Sequence, residues 1–202
     1  MKQLGFAVLM YVNDYNEFTP PRGYKWGTSY LYFPKLLTLC GYIKVPLKDF
    51  DSRGFTDKGV FKCPSAIIPY PGYKFGGIGI VIGVDTGGHY MPGGNLWTMW
   101  WDDHWQFRPP AKYGKIKHPD KKAMLGDSEE RGMNAAYIQC PICYSNLGSP
   151  WPEIGQTQII GYLPYRRHLG GGNVCFWDGH VEWVRYQDAK ANKNDIWGHY
   201  EW

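Results

Sequence analysis

Apolar side chains at Leu4, Val8, Tyr11, Tyr15 and Phe18 recur at steps of four, three, four and three, the spacing that sets a single stripe on an α-helix. The pattern predicts an amphipathic helix over residues 2 to 18. Pro20 and Pro21 are expected to end it, because the residue before a proline is pushed out of the helical region and proline itself has no N–H to donate. A helix of that length is marginal alone in water, so its stripe must pack on the rest of the chain. A second short helix is expected over Thr28 to Cys40, where Tyr30, Leu31, Phe33, Leu36, Leu37 and Leu39 crowd around Pro34, a residue suited to a first turn.

Beyond these helices the pattern changes to short β-rich runs. A polar, glycine-bearing loop from Lys48 to Gly59 leads into an expected strand at Val60-Phe61. Further strands are predicted at Gly77 to Val84, at Leu96 to Trp101 and at Lys121 to Asp127, the last read as a central strand that ends in a carboxylate. Asn134 to Pro152 reads as a loop. Near the C-terminus, RHLGGGNVCFWDGHVEWV places a glycine loop before two β-rich segments separated by Asp178-Gly179. An Asp-Gly pair there predicts a hairpin with a type I′ turn, whose two central residues both need positive φ. One leading helix followed by short strands gives an α+β fold: an N-terminal helix packed on a mostly antiparallel β-sheet, with loop-rich insertions.

The 202 residues suit one domain, 1–202, with enough chain to bury a sizeable core. A net charge of +4 is spread over short mixed stretches such as AKYGKIKHPDKK, with no arginine-rich helix, so a nucleic-acid partner is not expected. The longest apolar run, Ile78 to Val84, falls far short of the roughly 20 residues that span a bilayer, and Met1-Lys2-Gln3 opens directly into the amphipathic pattern with no signal-peptide core. By itself the sequence reads as a soluble cytosolic protein.

Five cysteines, Cys40, Cys63, Cys140, Cys143 and Cys175, are an odd number, so at least one stays outside any intrachain disulfide. Cys140-Pro-Ile-Cys143 has the two-residue gap of a zinc knuckle or a redox dithiol, and Cys63 and Cys40 are the residues that would complete a four-thiolate zinc site. Disulfide, structural zinc and free thiols all stay open. No thioredoxin-like βαβ pattern surrounds the pair, which argues against thiol redox catalysis.

The C-terminal segment, with His168, nine residues and then Asp178-Gly179 followed by His180-Val181 and a charged residue, resembles the signature of the prepilin-type, processing-associated pilin-like proteins of bacteria. The opening MKQLGFAVLMYVNDYNEFTPP is similar to the middle and end of that family's long N-terminal helix, with Met1 in place of the usual Leu before Lys-Gln. Val60 to Ser65 and Pro119 to Asp127 resemble family segments too, whereas Tyr73 to Gly79 lacks the Asn found in the corresponding family slot. The resemblance implies a pilin or pseudopilin fold, with residues 1–19 as the C-terminal half of the long helix and residues 20–202 as the sheet domain. It implies an extracytoplasmic subunit of a type II secretion or type IV pilus-related system, anchored in the inner membrane by an apolar helix half that would precede Met1. Its partners would be other pilin-like subunits and the secretion machinery.

His168 and Asp178 invite a reading as a catalytic base with its orienting carboxylate, but no G-x-S-x-G elbow or other positioned nucleophile accompanies them. A structural role is expected instead: His168 hydrogen-bonds across the hairpin or to Asp127 and fixes the glycine loop, while Asp178 and Gly179 set the turn. No catalytic residue is assigned. Resemblance to the major pseudopilins brings calcium into consideration, with Asp127, Ser128, Glu129, Glu130 and Asp178 as oxygen donors. EF-hand spacing is absent, and a solvated acidic turn is the expected reading. Trp97, Trp100, Trp101 and Trp105, with Asp102, Asp103 and His104, form the densest aromatic cluster. Core and a covered sheet edge explain it most simply; a protein-contact surface or a glycan-stacking platform, centred on Trp100, Trp101 and Trp105, are the alternatives.

Overall fold

The computed structural model describes residues 1–21, 23–26, 29–52, 54–66, 76–82, 112–128, 137–139, 168–192 and 196. It opens with helix α1, Lys2–Asp14, whose inner stripe of Leu4, Ala7, Val8, Tyr11 and Val12 is buried. Gly5 lies against the sheet so closely that an added Cβ would overlap the Cys175 sulfur and press on Met124. A glycine inside a helix costs about 1 kcal/mol relative to alanine. Here that cost permits the approach of helix to sheet.

Helix α1 stops four residues short of the expected end, and the prolines do not stop it. Glu17 N–H donates to the Val12 carbonyl at 2.9 Å while Asn16 takes φ of 51°, the six-to-one closure of a Schellman-type C-terminus. Asn tolerates the left-handed conformation better than most residues, so the local turn closes before Pro20 is reached. Tyr15 therefore leaves the stripe and is exposed, and Phe18 forms an isolated bridge with Lys112.

Strands β1, Gly23–Trp26, and β2, Ser29–Tyr32, pair as an antiparallel hairpin. Helix α2 then spans only Phe33–Leu39, with Pro34 in its first turn and Tyr32 extended before it. A helix running back toward residue 28 would drive the Pro34 ring into the carbonyl four residues earlier, which is why Ser29 to Tyr32 forms a strand. Val60-Phe61 is not a strand either. Gly59–Phe61 makes a single 3-10 turn, with Gly59 at φ of 58° and Phe61 buried beneath it.

The main sheet is formed by β3, Ile78–Ile82; β4, Ala123–Asp127; β5, Tyr137–Gln139; β6, Gly171–Phe176; and β7, Val181–Arg185, in the order β5-β3-β4-β6-β7. The four strands β3, β4, β6 and β7 are antiparallel, and β5 joins the edge parallel to β3. Strand β5 lies within Asn134 to Pro152, where a loop is expected from the sequence. Central strand β4 is buried at all five positions, and its register against β6 shifts by one residue between Ala123 and Leu125. A short helix α3, Tyr186–Ala191, follows β7. Among the described residues the fold is therefore α+β, with an N-terminal helix on a sheet of four antiparallel strands and one parallel edge strand.

The C-terminal hairpin forms with a turn other than type I′. Gly179 N–H donates to the Phe176 carbonyl at 2.9 Å, Gly179 takes φ of 90°, and Asp178 does not take positive φ. This is the three-residue loop in which a left-handed glycine follows an ordinary turn. The reason lies in Trp177: its side chain is fully buried, and its backbone N–H donates to the Lys122 carbonyl at 3.0 Å, so Trp177 stays tied to the β4 side and the reversal falls one residue later. Asp178 Oδ1 then accepts from the His180 N–H at 3.0 Å.

No helix among the described residues is long and apolar enough to cross a membrane. The expected strand at Leu96 to Trp101 and the aromatic cluster through Trp105 lie outside the described residues, as do Cys140 and Cys143.

Candidate metal centre

Three segments meet where β4 ends and β6 begins. Antiparallel pairing of β4 with β6 sets Gly126 opposite Val174, which brings Asp127 beside Asn173. The stretch from the 3-10 turn to β3 brings in Cys63, whose N–H donates to the Gly76 carbonyl at 2.6 Å. The glycine loop before β6 brings in His168. Cys63 Sγ lies 3.2 Å from His168 Nε2, and His168 Nε2 lies 3.3 Å from Asp127 Oδ2. All three potential ligand atoms fall within 4.8 Å of one another, and no other such group of three occurs among the described residues.

The surrounding contacts orient each member. Asn173 donates to Asp127 Oδ2 twice, from its backbone N–H and from its side-chain Nδ2, both at 2.8 Å. Trp183 Nε1 donates to the His168 carbonyl at 2.7 Å, and its ring covers Gly171, where a Cβ would strike it. His168, Leu169 and Gly170 take φ of 51°, 60° and 84° in succession. For the two residues with side chains this left-handed conformation costs roughly 1–2 kcal/mol each. Leu169 is almost wholly exposed and recovers nothing by burial, so the contacts of His168 and the Tyr186 N–H bond to the Gly170 carbonyl, 2.9 Å, are what hold the loop. Backbone strain of this kind concentrates at functional positions.

Several residues singled out from the sequence lie elsewhere. Asp178 is five residues beyond Asn173, roughly 16 Å along the strand, so it neither orients His168 nor shares an ion with Asp127. Its partner is His180, with Nδ1 2.6 Å from Asp178 Oδ1 and the imidazole stacked on Phe176 at 4.4 Å. Desolvation works to raise the Asp178 carboxyl, yet hydrogen bonds from the His180 backbone and ring hold it below the ordinary value. Cys40 sits against the Tyr15 hydroxyl at 3.3 Å and takes no part in the Cys63 group. Cys175 is fully buried under Gly5, and burial pushes its thiol up to about 12.

Asp127 and Ser128 are buried, which corrects the expectation of a solvated acidic turn at those positions. Calcium does not fit the group that forms there: it takes six to eight oxygen ligands, and two of these three donors are sulfur and imidazole nitrogen. The sequence reading pairs His168 with Asp127, and the two do meet, but it gives no reason to bring Cys63 to them. Asn173 and Trp183 are missed; the one available signal is an Asn set inside an otherwise apolar strand.

The arrangement also differs from a nucleophile–base–acid relay. In such a relay the imidazole uses one nitrogen for the nucleophile and the other for the carboxylate. Here sulfur and carboxylate both approach Nε2. Comparison with protein-family models, with curated proteins and with solved structures finds no match to this chain.

Proposed function

We propose that the chain is the globular part of a pilin-like subunit of a type II secretion or type IV pilus-related system, with a structural, protein-interacting role and no catalytic activity. One observation carries this reading. Helix α1 lays its inner stripe on the antiparallel sheet and leaves Phe6 and Met10, one turn apart on its outer face, 51% and 55% exposed. Two apolar side chains exposed on the otherwise polar outer face of a helix, whose inner face lies on its own sheet, offer a contact that bundling with neighbouring subunits would use. Lys2 caps that ridge with its ammonium 6.0 Å from the Phe6 ring.

In this reading α1 continues an apolar segment that anchors the subunit in the inner membrane, and the sheet domain faces outward as an extracytoplasmic body. Its partners are other pilin-like subunits and the secretion machinery. The test is cysteine cross-linking in cells that express the full-length gene, with Phe6→Cys and Met10→Cys introduced separately. Oxidation is expected to yield membrane-associated dimers linked through α1. Recovery of the protein solely as monomer in the soluble fraction would remove the reading.

A further inference from the structure

We propose that Cys63, Asp127 and His168 bind a zinc ion through Sγ, Oδ2 and Nε2, with the fourth position open to water. This inference is independent of the pilin-like reading. Tetrahedral zinc, with bonds of about 2.3 Å to sulfur and about 2.0–2.1 Å to nitrogen and oxygen, requires ligand-to-ligand edges of roughly 3.3–3.6 Å. The sulfur–nitrogen separation of 3.2 Å and the nitrogen–oxygen separation of 3.3 Å lie within a few tenths of an ångström of those edges. Convergence of sulfur and carboxylate on a single imidazole nitrogen, which a proton relay does not use, is the arrangement that an ion at their common centre produces.

Charge and chemistry select the metal. A thiolate, a carboxylate and a neutral imidazole carry two negative charges, so a divalent cation makes the site neutral, which matters because Cys63 and Asp127 are both buried. Mixed sulfur, nitrogen and oxygen donors suit a borderline-soft ion and exclude magnesium and calcium. Further contacts fix the ligands in place: Asn173 holds Asp127 Oδ2 with two donors, and Trp183 Nε1 donates to the backbone carbonyl of His168. The His168 side chain is 20% exposed, which leaves a path for the ion and for water on that side.

The test is zinc uptake by the purified chain after chelator treatment, measured by elemental analysis and by competition with a zinc indicator. Cobalt(II) serves as a spectroscopic probe. One equivalent of zinc per chain is expected, and the cobalt form should show a sulfur-to-metal charge-transfer band with the visible bands of tetrahedral coordination. Cys63→Ser and His168→Ala should abolish the charge-transfer band and the tetrahedral spectrum respectively, each weakening zinc binding by more than the roughly 10–100-fold expected of Asn173→Ala. The Cys140→Ser, Cys143→Ser double variant should keep its zinc.

Because Cys63 is buried, each variant is checked for native circular dichroism. If Cys63→Ser does not fold, protection replaces it: zinc should slow alkylation of Cys63 in the unmodified protein at least tenfold. The proposal is overturned if the folded protein takes up no zinc at micromolar free metal. It is also overturned if folded His168→Ala binds as tightly as the parent, or if zinc is lost only from the Cys140, Cys143 double variant.

Discussion

Replacing Gly5 by alanine sets two opposing effects against each other. In an exposed helix interior the change would stabilise by about 1 kcal/mol, because alanine is the better helix former. In this structure the new Cβ would overlap Cys175 Sγ and come 3.3 Å from Met124 Cε. Both neighbours are fully buried on the central strands, so neither can swing aside into solvent. Overpacking of a filled core costs roughly 1–3 kcal/mol, so after the roughly 1 kcal/mol gained in helix propensity the net expectation for Gly5→Ala is a loss of up to about 2 kcal/mol, or up to roughly 8 °C in Tm for a chain of this size.

Cys175→Ala removes the obstructing sulfur and alone costs about 1 kcal/mol for the lost buried atom. Together the two changes place one methyl where the sulfur was. The double variant should therefore be more stable than the sum of its parts by at least about 1 kcal/mol, a coupling well above the ordinary additivity error. Urea unfolding of all four proteins, followed by circular dichroism with a common slope, measures the cycle. A Gly5→Ala variant that is more stable than its parent, or a cycle that closes additively, would refute the packing of α1 on β4 and β6.

Three further outcomes are expected. Gly179→Ala forces a side chain to φ of 90° and toward Leu9, 3.3 Å away, and should cost roughly 1–2 kcal/mol, whereas Gly179→Asn should cost less; equal Tm losses for the two would contradict the left-handed turn. Asp178 is held below its ordinary value by His180, so its contribution is present above the unfolded carboxyl pKa, about 3.9, and is lost as pH falls through the lower folded value. The Tm difference between the parent and Asp178→Asn should thus shrink as pH is lowered from about 5 through the carboxylate range, and a difference that does not change over that interval would count against the Asp178–His180 pairing. Cys175, with its thiol at about 12, should resist alkylation at pH 8 at least roughly 100-fold relative to the unfolded chain, as read by mass mapping of the modified peptide; labelling of Cys175 at the unfolded rate would show that α1 does not cover it.

The four-three-four spacing made α1 legible because a helix on a sheet buries one stripe, and Leu4, Val8 and Tyr11 are that stripe. Its end was not legible. Tyr15 and Phe18 continue the period, and only the left-handed turn at Asn16 shows that the chain has left the helix. The C-terminal hairpin was visible in Asp178-Gly179, but the turn type was decided by the burial of Trp177 and its bond to Lys122, a contact between distant segments. The same limit hid the candidate centre. Cys63 and His168 are 105 residues apart, and no local pattern in either loop records that the sheet brings them together at Asp127.

The proposed pilin-like role stands or falls on the coding sequence immediately upstream of Met1 in the source genome. A short basic leader ending in Gly, followed by residues like Phe-Thr-Leu-Ile-Glu and an apolar run of about 20, is the predicted result. A stop codon and a ribosome-binding site directly before Met1 would contradict it, since α1 would then have no membrane segment to continue.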